Sequence, residues 1–299
     1  MKNKKKLIIR VPATIANFGP GFDVLGASVN LYNEFSFVAD EKFAVLVKNS
    51  RQIPTDKTNP VWRSFVFAWK KFSAKPINDR WQIVIADNIP LGSGLGSSAT
   101  AHLAGVVAAA SFCGISDEKT ILKVAVEIEG HPDNVVPAYL GGLWAAYWDK
   151  KDLTYVRLAD PGCWPVLIWY PERKVLTEKA RKILPARYLR AEVIYNLSRL
   201  AFLAVALKDR DWALLKLALD DKIHQPYRKK FIPEFDIIRK IASEAGAWAT
   251  IISGSGPSLA IFGPVKKIFR MEKSIRKKIG YGKFYRLKLE KEGLRKKWL

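Results

Sequence analysis

Cysteine, histidine and long apolar runs are what this sequence has least of. Its two cysteines, Cys113 and Cys163, lie far apart in 299 residues and form no CxxC pair. That excludes a disulfide framework and the cysteine-based zinc motifs, and points to a reduced, cytoplasmic setting. The three histidines, His102, His131 and His224, show no ligand spacing to one another, which argues against a metal site built on imidazole. No run approaches the roughly 18 apolar residues that a membrane span requires. The start, MKNKKKLIIRV, is basic but has no apolar h-region or cleavage site, so no secretory leader is expected. Asn3 and Lys4 to Lys6 read as a solvated lead-in to the first strand. Tandem repeats and low-complexity linkers are also missing.

Acidic residues are few as well: 28 Asp and Glu against 50 Lys and Arg leave a formal charge of +22. Residues 266–299 hold fourteen Lys or Arg against three Glu, half of that excess. Such a block can bind nucleic acid, yet it does not alternate with exposed aromatics and carries no recognition motif. It reads instead as a solvated helix face of the kind that Lys- and Arg-rich thermophile proteins carry. With 49% apolar residues the chain can bury a sizeable core, and its length suits two modest domains sharing one cleft. A Pro/Gly break at residues 159–165 divides it into 1–160 and 161–299.

What is abundant is glycine at one place. Residues 90–100, PLGSGLGSSAT, join a β-rich run (80–89) to a helix of small and apolar residues (99–112). Glycines allow positive φ and close backbone approach, so successive N–H groups can face one concavity. The helix adds its unpaired amides and the positive end of its dipole, which together make a phosphate cradle. A tight Gly/Ser turn capped by Ser97 or Ser98 explains the same residues. Neither the GxxxxGK[ST] loop nor the GxGxxG dinucleotide fingerprint fits, since the first needs a lysine and the second another spacing and strand. A second glycine loop at 254–258, GSGPS, lies between two short strands. It can be a plain hairpin or a backbone brought against the first loop.

Along the rest of the chain, residues 7–11 open a sheet, and a turn cluster, Asn17–Phe18–Gly19–Pro20–Gly21–Phe22–Asp23, follows. Turn chemistry accounts for its glycines and proline but does not require Asn17 and Asp23 to flank them. Residues 35–38 and 43–47 are expected as an antiparallel hairpin. Asn59 precedes an amphipathic helix at 61–72, where it can cap the helix or reach a purine edge. A helix at 118–129 ends on Glu127 and Glu129, where the dipole disfavours carboxylates. A bound cation would explain one of them, and Glu127, between buried neighbours, is the better candidate; solvent exposure explains Glu129 equally well. A loop is expected at 130–142 with His131, Asp133 and Asn134, and His131 alone reads as a structural histidine. A hairpin at 143–158 and a strand at 166–170 follow. Thr177 is expected as an N-cap, and Arg181 shares its helix face. Helices at 191–207 and 211–219 precede a loop at 224–235 carrying Arg228. Further helices, from Pro233 to near Gly246 and at 265–279, and a last strand at 284–289 complete the reading.

Taken together, these blocks resemble the GHMP small-molecule kinases, whose signature PxxxGLGSSAA is matched by residues 90–100 with Thr100 in last place. The GSGPS loop resembles the third motif of that family. VPATIANFGPGFDVLG (11–26), EGHPDNVVPAYLGG (129–142), LTEKARKILP (176–185) and HQPYRKKFIP (224–233) are similar to the branch that phosphorylates homoserine. The resemblance implies an α+β, two-domain GHMP kinase fold: a first domain like ribosomal protein S5 domain 2, with a left-handed crossover, and a ferredoxin-like second domain. It implies ATP- and Mg²⁺-dependent phosphorylation of the side-chain hydroxyl of L-homoserine on the path to threonine, with homodimers as a family habit. It further implies that Pro90, Leu91, Gly92, Ser93, Gly94, Leu95, Gly96, Ser97, Ser98, Ala99 and Thr100 hold the ATP phosphates and that Asn59 lies near adenine. Ser98 and Glu127 would ligate Mg²⁺, a hard ion suited to oxygen ligands. Thr177 would sit near the transferred phosphoryl group and Asp23 would accept a hydrogen bond from the reacting hydroxyl. Asn17, His131 and Asn134 would position the amino acid, and Arg181 and Arg228 would clamp its carboxylate. The HGxPSGxD segment of many relatives, with its plausible base, is here the shorter HPDN. Two competing readings remain: a family member acting on mevalonate, a sugar or shikimate, and a basic nucleic-acid-binding protein with an S5-like domain.

Overall fold

The computed structural model describes residues 5–49, 52–159 and 164–299. Cys163 and most of the Pro/Gly break expected at 159–165 lie outside them, as do Asn3 and Lys4 of the lead-in. In the first half, strands β1 (Lys6–Ala16), β2 (Leu25–Ala39) and β3 (Ala44–Val47) precede helix α1 (Pro60–Phe72). Then come β4 (Trp81–Ala86), α2 (Ser97–Cys113), α3 (Glu118–Glu129), α4 (Pro132–Leu140), β5 (Leu143–Trp148) and β6 (Leu153–Ala159). The second half runs β7 (Pro165–Tyr170), α5 (Thr177–Lys182), α6 (Arg190–Asp209), α7 (Trp212–Ala218), α8 (Gln225–Arg228) and α9 (Phe235–Glu244). It continues with β8 (Ala249–Ile252), β9 (Leu259–Phe262), α10 (Val265–Ile279) and β10 (Lys283–Lys288), and β11 (Arg295–Trp298) closes the chain.

Two sheets result. The second has the order β10-β7-β9-β8 with all neighbours antiparallel, which is the strand order and connectivity of a ferredoxin-like domain. The first has the order β11-β1-β2-β4-β3, and β5 and β6 extend it from the start of β2. The expected hairpin between residues 35–38 and 43–47 does not form. β4 enters between the two runs, antiparallel to β2 and parallel to β3. Trp81, Ile83 and Ile85 are buried on the core face of β4, and that central position removes them from water. β11 was not anticipated: four exposed residues, Arg-Lys-Lys-Trp, pair with β1 and carry no apolar alternation to betray a strand.

Three apolar layers hold the molecule. The first lies between the large sheet and α1–α4, where Phe65 of α1 meets Phe37, Trp62, Trp69 and Trp81 at ring distances of 4.8 to 5.8 Å. The third lies under α9 and α10. The second joins the halves: Ile15, Phe18, Leu25 and Leu95 pack with Val166, Ile168, Leu203 and Phe262. Burying about 25 cal/mol per Å² of apolar surface, that layer sets how the two halves face each other across a cleft.

Residues 130–142, expected as a loop, are mostly helix. Pro132 starts α4 at a position where its missing N–H costs nothing. Pro137 lies inside α4 and has no N–H for the carbonyl of Asp133, one turn back. That carbonyl faces β2 at Gly26, where a Cβ would lie 1.7 Å from the oxygen. Gly26→Ala is therefore expected to lower unfolding free energy by about 3 kcal/mol or more, through overpacking at a site with no slack. Gly114→Ala, a left-handed cap with nothing within 4 Å of its Cβ, is expected to cost only about 1 kcal/mol. Denaturant midpoints measure both, and equal losses would contradict the close approach.

Candidate active site

The cleft between the halves encloses a cavity of about 250 Å³, close to the lower end of ligand clefts, roughly 300–1,000 Å³. Its floor is the first glycine loop. The N-cap of α2 is Gly96 in the left-handed region, and no side chain caps the helix. The first turn of α2 thus keeps amides free of a side-chain partner, with Ser97 and Ser98 as its first residues on the cleft wall. The Ser-capped turn is not what forms.

The second glycine loop is pressed onto the first. Ser258 N donates to Ser93 O at 3.0 Å and Ser253 Oγ donates to Gly94 O at 2.8 Å. A Cβ on Gly94 would meet Ser253 O at 2.3 Å and Gly256 O at 2.7 Å. Gly254 and Ser255 reach the cleft together with Gly92, Ser93, Gly94 and Gly96. Asn33, unnoticed in the sequence, anchors the loop at both ends. Its Oδ1 accepts from Asn88 N and Ile89 N, and its Nδ2 donates to Thr100 Oγ1.

Opposite the floor lies a polar wall. The turn expected to matter is tightly built: Asn17 N donates to Asp133 Oδ2 at 3.0 Å, and Asn17 Oδ1 accepts from Asp23 N at 2.9 Å. His131 Nδ1 meets Asp133 Oδ1 at 2.8 Å. Burial works to lower the His131 pKa, but the hydrogen bond and charge of Asp133 outweigh it and raise the value. Asn134 Oδ1 accepts from Thr14 Oγ1 at 2.5 Å. Asn17, His131 and Asn134 all line the cleft.

The two arginines also line it, by different routes. Arg228 is 1% exposed; its Nη1 donates to Gly254 O at 2.8 Å and its Nε has no partner among the described residues. Burial brings its pKa down to about 10, so it stays charged at neutral pH. Arg181 spends both terminal nitrogens on Asp23, at 2.6 and 2.9 Å. Both Asp23 oxygens are therefore held by a guanidinium, and Asp23 itself is not on the cleft surface. Thr177 reaches the cleft as the first residue of α5; the N-cap is Leu176, not Thr177 as expected.

Two assignments change. Glu127 does not face the cleft: it lies exposed on the outer side of α3 and pairs with Lys71 Nζ at 2.9 Å. Glu129, unlike Glu127, lines the cleft, with His102 Nδ1 at 2.6 Å from its Oε2. Two residues apart on a helix, the side chains point roughly 200° apart, so burying Val124, Ala125 and Val126 turns Glu127 outward. Asn59 lines the cleft, but its Oδ1 caps α1 at Val61 N and its Nδ2 donates to Pro54 O. Only one amide hydrogen remains for a base. Among the lining residues that the sequence did not mark is Asp87, whose pKa is raised chiefly by burial.

Known proteins share this arrangement. The model of the GHMP kinases N terminal domain matches residues 59–142, and that of the GHMP kinases C terminal domain matches 203–271. Homoserine kinase of Gloeobacter violaceus is 40% identical over 261 residues, 85% of this chain and 86% of that protein. Homoserine kinase of Nostoc punctiforme is 38% identical over 263 residues, 85% of this chain and 84% of its own. The crystal structure of homoserine kinase from Cytophaga hutchinsonii superposes with a TM-score of 0.87 at 29% identity, over 99% of both chains. An uncapped helix end facing paired guanidiniums across one cleft now has its family: the chain belongs to the GHMP kinases, in their homoserine kinase branch, and is an ATP-dependent small-molecule kinase.

Proposed function

We propose that the cleft takes MgATP and L-homoserine side by side and yields ADP and O-phospho-L-homoserine. The observation that supports this most is a single cleft bearing, on one wall, helix amides with no side-chain cap and, on the other, Arg181 and Arg228. The amides of residues 92–94 and 96–98 suit the phosphates, and Gly254 and Ser255 close over them. Arg228, charged and with its Nε unpartnered among the described residues, suits the amino acid's carboxylate. Arg181 is committed to Asp23, so it serves that carboxylate with what remains of its donor edge and otherwise orients Asp23. Asn17, His131 and Asn134 suit the rest of the amino acid.

In the transfer, the side-chain oxygen of homoserine bonds to the γ-phosphorus as the bond from that phosphorus to the β-bridging oxygen breaks. Asp23, with both oxygens held by the Arg181 guanidinium, acts by orientation. Loose phosphoryl-transfer transition states ask for little early proton removal, so positioning suffices, and the hydroxyl proton passes late to an oxygen of the transferred phosphoryl group and from there to water. Thr177 lines the cleft as a hydroxyl donor to the transferred group. The residues present fit a hard cation: Ser98 offers a hydroxyl and Glu129 a carboxylate on the cleft surface. Magnesium held there would neutralise charge on the β- and γ-phosphate oxygens.

A panel of hydroxylated metabolites assayed with MgATP is expected to give ADP release with L-homoserine above mevalonate, sugars and shikimate; a different preferred acceptor would overturn the assignment. Arg228→Ala is expected to raise the homoserine KM about tenfold or more while the ATP KM moves by less than about twofold. Equal shifts would remove Arg228 from the acceptor side. Glu129→Gln is expected to demand roughly tenfold more Mg²⁺ for half-maximal rate, and Glu127→Gln to leave the Mg²⁺ titration unchanged. The reverse pattern would restore Glu127 as the ligand.

A further inference from the structure

The turn that carries Asn17 and Asp23 is held from the other half of the molecule at two consecutive carbonyls. His224 Nε2 lies 2.9 Å from Gly19 O, and Asn196 Nδ2 donates to Pro20 O at 3.2 Å. The other ring nitrogen of His224, Nδ1, lies 3.4 Å from Arg228 Nη1. A carbonyl oxygen can only accept and a guanidinium can only donate. The ring must therefore carry its proton on Nε2 and present a lone pair on Nδ1. Burial is complete and pushes the His224 pKa down, against the raising pull of Asp221, which keeps the ring neutral. A proton on Nδ1 would face a cation.

The backbone under His224 leaves it little freedom. Asp221, itself buried, accepts from Ile223 N, His224 N, Gln225 N and Asn196 Nδ2 at 2.7 to 3.0 Å. On the far side, the ring of Phe22 stacks on His224 at 5.8 Å and 28°. The same Phe22 ring lies 5.1 Å from the Arg228 guanidinium and 5.5 Å from that of Arg181. One imidazole thus joins the acceptor turn of the first half to the guanidinium of the second.

We infer that His224 is a positioning residue for the acceptor subsite: its Nε2–H pins the turn at Gly19 and its Nδ1 aims Arg228 into the cleft. Neither half completes the amino-acid pocket alone, because a bond to each of its two sides meets on this ring. The inference rests on Arg228 as the carboxylate clamp.

His224→Phe keeps an aromatic ring on Phe22 and removes both hydrogen bonds. In the full-length protein it is expected to raise the homoserine KM about tenfold with the ATP KM within about twofold, a loss matched by weaker homoserine binding in calorimetry without nucleotide. His224→Gln, which retains one donor and one acceptor, is expected to recover part of that loss. A fall in melting temperature with both KM values unmoved, or moved alike, would make His224 a core residue only. Arg228→Ala run in parallel separates the two ideas: if it leaves the homoserine KM unchanged, the clamp reading fails rather than the positioning. If His224→Phe does not fold, nitrogen NMR of the wild-type ring decides. The neutral Nε2–H form is expected at neutral pH, with the Nδ1 signal moving on adding homoserine and not on adding ATP. An Nδ1–H or charged ring, or no response to homoserine, would overturn it.

Discussion

A helix that begins on glycine instead of a hydroxyl has amides to offer, and this molecule is organised around that offer. At Gly96 the chain enters α2 in the left-handed region with no side chain turned back to close the end. Unsatisfied helix amides inside a protein cost free energy unless water or a ligand meets them. Here they open onto the cleft, and everything nearby keeps them there. Asn33 ties down both ends of the loop, while the 254–258 loop presses so closely on Gly94 that no β-carbon fits. The result suits an anion, and a fixed electrostatic environment of that kind assists transfer of a charged group.

The opposite wall has a different logic. Its cations are neither exposed nor free: Arg181 is paired with Asp23, and Arg228 is buried between a carbonyl, an imidazole and an aromatic face. Guanidiniums so placed are aimed before any acceptor arrives, and their long side chains lose little further freedom on binding. The apolar layer between the halves supports both walls, because Phe18 and Leu25 flank the turn and Leu95 sits within the phosphate loop. Core packing and the two walls of the cleft therefore share residues.

Much of this was visible in the chain. Asn59 caps its helix as its position before Pro60 suggests, Asp117 caps α3, and the two glycine loops meet as their composition allowed. The failures are equally specific. Glu127 looked buried because its neighbours are, but a helix presents only one face, and which face is settled by what packs on it. Residues 130–142 looked like a loop because two prolines bound them; Pro132 instead starts a helix and Pro137 is tolerated where Gly26 lets a strand approach the orphaned carbonyl. Residues 43–47 looked like a hairpin partner of 35–38, and only the insertion of β4 decided otherwise.

By itself, then, the sequence determined the local chemistry: a glycine-rich loop suited to phosphate, polar residues flanking a Gly/Pro turn, one arginine on a helix and one in a loop, and a family likeness spread over most of the chain. Those are properties of short stretches, set by backbone freedom, capping and charge. Tertiary structure decided which of the candidates share a cleft. Glu129 replaced Glu127 there, Arg181 proved to be spent on Asp23, and His224, a lone histidine in the chain, became the meeting point of two halves. Such outcomes depend on contacts between residues far apart in sequence, whose energies no local pattern records.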